Sequence, residues 1–141
     1  MFKNFLKKKK EEDSDKKNIS IIALLVHAAK IDENYTEAEK EIIKKVIVQL
    51  NSLELNESEK LLKIAEKVQE NSNQIVEFTK EIKKYSMEFR LKIIEIIWKI
   101  VYSDGASDNY ESNLIRRICG LLYISDKDSG IIKTKVQNIS K

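Results

Sequence analysis

Two stretches of this chain are apolar almost all the way round a helix, and amphipathic stretches surround them. Residues 19–31 carry Ile21, Ile22, Leu24, Leu25 and Val26 in close succession. Residues 87–103 carry Phe89, Leu91, Ile93, Ile94, Ile96, Ile97, Trp98, Ile100 and Val101. A helix with no polar face belongs in the interior, so both are predicted to be central. Elsewhere apolar residues recur three and four positions apart, the spacing of a helix with one buried side. Helix-start signals divide those stretches. Thr36 with Glu39 and Asp108 with Glu111 read as capping boxes opening a second and a sixth helix. Asn56-x-x-Glu59 opens a third, ending near Asn71, and a fourth spans 73–85 with Ile75, Val76, Phe78 and Ile82 inward. Ser86 caps the fifth, and Ser125-x-x-Asp128 starts a seventh.

The pattern also repeats. Asp32-x3-Thr36-x2-Glu39 recurs 72 residues later as Asp104-x3-Asp108-x2-Glu111. In the same register Ile21, Ile22, Leu24 and Leu25 align with Ile93, Ile94, Ile96 and Ile97. Ile42, Ile43, Val46 and Leu50 align with Leu114, Ile115, Ile118 and Leu122. A unit of helix, acidic loop and helix present twice predicts an all-α fold. About seven helices are expected in a duplicated, pseudo-two-fold bundle centred on the two apolar ones. Residues 19–53 should superpose on 91–125.

Composition agrees with this and sets limits. The chain has no proline and three glycines in 141 residues, which is too little turn chemistry for a sheet of any size. That length suits one domain with one real core. A single cysteine excludes an internal disulfide and suits a reducing compartment. The longest apolar run, Ile19 to Ile31, holds His27 and Lys30 and falls short of the ~18–20 residues a membrane span needs. The N-terminus lacks the features of a secretory signal. A cytoplasmic location is the resulting expectation. The formal charge of +3 resides in the tail, where residues 1–18 hold seven lysines against four acids. Residues 1–18 read as a flexible charged tail and 19–141 as the folded domain. That domain is charge-balanced, so nucleic acid is not an expected partner. Phe2, Phe5 and Leu6 beside the lysine run suit either a weak membrane-surface contact or a start that tucks onto the domain.

The second acidic segment, Val101-Tyr102-Ser103-Asp104-Gly105-Ala106-Ser107-Asp108-Asn109-Tyr110-Glu111, resembles the A-x-A-D-G-x-x-D-x-x-E pattern of the TerB family of tellurite-resistance proteins. The following Leu114-Ile115-Arg116-Arg117-Ile118-Cys119-Gly120-Leu121-Leu122 fits as well. The first copy departs from the pattern, with Glu33 in place of the glycine and Thr36 in place of the second acid. The resemblance covers roughly residues 19–139. It implies a seven-helix domain, an acidic surface that binds divalent metal, and an association with stress responses. A related domain begins some DnaJ-like membrane co-chaperones, which implies protein interaction instead.

The chemistry of the acids is two-sided. Asp32 and Asp104 follow helix ends whose free carbonyls favour a cation. Glu39 and Glu111 lie in first turns, where backbone N–H groups compete for the carboxylate. The metal reading, which rests mainly on the resemblance, takes Asp32, Glu39, Asp104, Asp108 and Glu111 as its candidate ligands, with calcium or magnesium expected ahead of zinc. The spacing does not follow the calcium-loop pattern. Two capping boxes account for Thr36, Glu39, Asp108 and Glu111 without any ion, leaving a protein-interaction module with an unidentified partner and an open oligomeric state. His27 is expected to be buried against a local partner, Cys119 to act as a small apolar residue, and Trp98 to belong to the core. Nothing pairs a nucleophile with a base and an orienting group, and there is no phosphate loop, so no enzyme is expected. The last two helices could form a helix-turn-helix with Lys127, Lys133 and Lys135 facing phosphates, a reading that the charge balance of the domain opposes.

Overall fold

A computed structural model describes residues 18–31, 35–51, 55–71, 75–104 and 109–139. Among the described residues there are seven α-helices, one short 3-10 turn and no strand. The helices are α1 (residues 18–30), α2 (Glu37–Asn51), α3 (Leu55–Asn71), α4 (Ile75–Ile82), α5 (Met87–Val101), α6 (Asn109–Leu121) and α7 (Asp126–Ile139). The 3-10 turn, Tyr102–Asp104, follows α5 directly. The all-α prediction holds.

The two apolar stretches lie where their composition requires. In α1, Ile21 through Val26 are each fully enclosed, and so is Ala29. In α5, Ile93, Ile94, Ile97, Trp98, Ile100 and Val101 are buried. The amphipathic helices turn one face to this core: Ile43, Val46 and Ile47 from α2, Leu62 and Ala65 from α3, Leu114, Ile115, Ile118 and Cys119 from α6. α5 packs against α2, α6 and α7, while α2 packs against α3 and α4 against α6. Burial at the 72-residue spacing is alike for Ile21 and Ile93, Ile22 and Ile94, Leu25 and Ile97, Ile43 and Ile115, and Val46 and Ile118. It differs at Leu24, which is enclosed where Ile96 is half-buried, and at Ile42, which is half-buried where Leu114 is buried.

Three helix ends differ from the sequence pattern. α3 already includes Leu55, so Asn56 lies within its first turn instead of capping it. α4 stops at Ile82, three residues before Tyr85. There the backbone tightens, with Lys84 N–H donating to Glu81 O and Tyr85 N–H to Ile82 O. Ser86 must then take an extended backbone (φ −62°, ψ 159°) to cap α5, its Oγ accepting from Phe89 N–H at 3.2 Å. A helix cannot run through a residue in that conformation. α5 in turn gives way to the 3-10 turn after Val101, which satisfies its last carbonyls with shorter-range bonds.

The Ser125 cap is present, with Asp128 N–H donating to Ser125 Oγ at 3.1 Å. α6 ends in a Schellman motif: Ile124 N–H reaches Cys119 O at 2.9 Å and Tyr123 takes a left-handed φ of 59°. The Arg90 guanidinium donates to Leu122 O at 2.6 Å, tying the start of α5 to the end of α6. No helix among the described residues is long and apolar enough to cross a membrane. Of the tail expected over residues 1–18, Asn18 is instead the buried first residue of α1, and residues 1–17, with Phe2, Phe5 and Leu6, lie outside the described residues.

Candidate functional site

The first acidic segment begins where α1 runs out at Ile31 and ends where Thr36 opens α2. Thr36 and Glu39 form the predicted capping box. Glu39 N–H donates to Thr36 Oγ1 at 3.1 Å. Thr36 N–H and Thr36 Oγ1–H donate to Glu39 Oε1 at 2.9 and 3.0 Å. Glu39 is only 3 % exposed, so its carboxylate is held against the protein by these bonds. Asp32 lies outside the described residues.

Tyr35, just before the cap, is a feature the sequence pattern did not single out. Lys30 and Lys40 place their ammonium groups 5.5 and 4.8 Å from its ring centroid, one from α1 and one from α2. Its hydroxyl is enclosed and has no hydrogen-bond partner among the described residues. Burial pushes its phenol well above the ordinary value, and the nearby Glu66, Glu39 and Glu37 carboxylates add to the shift. An aromatic residue preceding an N-cap between two lysines was the only signal available in the sequence.

The second acidic segment starts in the 3-10 turn, where Ser103 Oγ donates to Ile100 O at 2.7 Å. α2 packs against this turn as well as against α5. The helix opened by the first box therefore lies beside the turn that carries Asp104. Glu111 falls in the first turn of α6. The side chains of Asp104 and Glu111, and Asp108 altogether, lie outside the described residues. Of the five candidate ligands only Glu39 can be placed in atomic detail. Among the described residues no group of three or more His, Cys, Asp or Glu side chains converges on a cation-sized point.

The other singled-out residues make contacts within the fold. His27 is half-buried in α1, with Gln69 Nε2 at 3.4 Å from its Nδ1. Burial, aided by the Arg117 charge, lowers its pKa. Cys119 is buried, which raises its thiol above the ordinary value and opposes thiolate chemistry. Trp98 is 4 % exposed, and its Nε1–H donates to Ser129 Oγ at 3.3 Å. Of the three lysines invoked for a helix-turn-helix, two are engaged with α5. Lys133 lies 5.2 Å over the Trp98 ring, and Lys135 pairs with Glu95 at 3.3 Å.

The chain matches the family described as tellurite resistance protein TerB over residues 18–134, from the first residue of α1 to well inside α7. No curated protein and no solved structure matches it. With the fold and the match covering the same helices, the chain belongs to the TerB tellurite-resistance family.

Proposed function

We propose that this TerB domain acts without catalysis, as a stress-associated cytoplasmic module that binds a divalent cation through its acidic segments. The observation that supports the reading is the packing of α2, the helix that Thr36 opens, against the turn ending at Asp104. Asp32 and Asp104 follow helix ends, where carbonyl oxygens can join the several oxygen ligands a hard cation requires. Asp108 and Glu111 would complete the shell from the second segment. Gly105 lets that segment approach the ion more closely than Glu33 allows in the first, so Asp104 carries more of the affinity. Calcium or magnesium suits such a set better than zinc, which prefers nitrogen and sulfur.

A second reading has its own support. The Thr36–Glu39 box is complete without an ion, since Glu39 Oε1 already accepts from both Thr36 donors. On that reading the acidic segments close turns, and the domain works by binding a protein partner.

Thermal unfolding with calcium, magnesium, manganese or zinc, each against chelator, separates the two. An ion that binds only the folded state adds RT ln(1 + [L]/Kd), about 2.7 kcal/mol at a hundredfold excess over Kd. Asp104→Asn should lose most of that gain. No shift at millimolar ion, or the same shift in Asp104→Asn, leaves the protein-interaction reading standing.

A further inference from the structure

We infer that the cleft between α5, α6 and α7 is a binding site for inorganic phosphate in its hydrogenphosphate form. The cleft is lined by Trp98 from α5, Ser112 and Arg116 from α6, and Asp126, Gly130 and Lys133 from α7. Its volume is about 180 Å³. That admits a small oxyanion with a few waters, and it is below the roughly 300 Å³ at which sites for larger organic ligands begin.

Charge selects the ligand. Arg116 and Lys133 supply two cations; neither forms an ion pair with a described residue, Lys133 lying over the Trp98 ring, although lysines elsewhere on α1, α2 and α5 do. A guanidinium and an ammonium on neighbouring helices, with no carboxylate partner among the described residues, suit an anion with several oxygens. Asp126, also without an ion pair among the described residues, would repel an anion that presents only acceptors. A carboxylate can accept hydrogen bonds but donate none when ionised. Hydrogenphosphate keeps an O–H that can donate to Asp126 while its other oxygens accept from Arg116 and Lys133. Sulfate has no such proton.

Gly130 lines the cleft without a side chain of its own. It lies inside α7, where glycine is about 1 kcal/mol less favourable than alanine. A Cβ built there meets nothing within 4 Å, so close packing does not require the glycine. At that position it lines the cleft together with Trp98, the only tryptophan in the chain.

The test titrates the full chain with inorganic phosphate at constant ionic strength, at a pH where hydrogenphosphate dominates. Trp98 fluorescence and the phosphorus-31 line width are the readouts, and sulfate and methyl phosphate, both protonless there, are run alongside. Wild type should saturate with phosphate only. Arg116→Gln and Lys133→Gln should each weaken binding about tenfold, the loss expected for one hydrogen bond to a charged group. Asp126→Asn should admit sulfate, and Gly130→Val should block binding while unfolding stays cooperative. A phosphate response that does not saturate, that sulfate reproduces in wild type, or that both charge variants retain overturns the inference.

Discussion

Removing the Thr36–Glu39 box tests whether Glu39 holds a helix start or serves an ion. Two reciprocal bonds and one shared bond are at stake. Thr36→Ala deletes the Oγ1 that accepts from Glu39 N–H and donates to Glu39 Oε1. A lost threonine N-cap costs about 1 kcal/mol. Glu39→Ala deletes the acceptor of Thr36 N–H, leaving a partly buried donor unsatisfied, again at about 1 kcal/mol or somewhat more. Because the Thr36 Oγ1 to Glu39 Oε1 bond is lost in either single variant, the double variant should cost less than the sum. The expected coupling is roughly 0.5–1 kcal/mol. Glu39→Gln keeps a neutral acceptor oxygen and should retain most of the stability. Urea unfolding with unchanged slope reads all four values, and each ~1 kcal/mol corresponds to roughly 3–6 °C in Tm at this chain length. These costs should be the same in chelator as in buffer. Strict additivity, or a Glu39→Ala cost that vanishes once ions are removed, refutes the capping argument and makes Glu39 a ligand.

Three further outcomes follow from single residues. Tyr123 holds a left-handed backbone that costs a non-glycine residue about 1 kcal/mol, so Tyr123→Gly should exceed Tyr123→Ala in urea-unfolding stability by about that amount; equal values would mean the turn relaxes. Burial, with Arg117, holds His27 below its ordinary 6.5, so the unfolded chain binds the proton more tightly and the stability linked to this group is complete above that pH and lost as pH falls through the folded value. Unfolding midpoints across this range should show a decline that His27→Gln flattens; an identical profile in the variant refutes the assignment. Cys119, buried and with its thiol pushed up, should react with a maleimide only as fast as the protein opens; rapid labelling of the folded chain would contradict its placement.

The fold was largely legible because its strongest signals are local. Ile21 to Val26 leaves no polar face, and Ile93 to Val101 interrupts its apolar surface only at Glu95 and Lys99, so both stretches must be largely enclosed. Thr36-x-x-Glu39 is likewise a four-residue device whose geometry follows from its spacing. The end of α4 was not legible, because Tyr85 continues the apolar period while Ser86 needs an extended backbone to cap the next helix. Periodicity and capping competed there, and capping prevailed. The surroundings of Tyr35 were invisible for a different reason. Lys30, Lys40 and Glu66 reach it from three helices, and no spacing along the chain encodes their meeting. The same applies to the cleft beside Trp98, whose charged walls come from α6 and α7.

The enclosure of α1 leaves one question of specification that its apolar residues cannot answer. On an ordinary amphipathic helix the polar stripe sets the rotation about the axis, because turning the helix would drive charge into the core. From Ile21 to Val26 every direction is equally apolar, so turning the helix changes which side chain fills which gap but exposes nothing new. The orientation must then be keyed by the few polar groups α1 carries. His27 meets Gln69 across the seam with α3, and one turn on Lys30 pairs with Glu70 at 3.8 Å. Both sit on the side of α1 that faces α3 and near its C-terminal end, which is also where the first acidic segment departs. Two modest polar contacts, small in stabilising energy, thereby choose one azimuth among several of similar hydrophobic content, and with it the direction in which the chain leaves α1 toward Thr36.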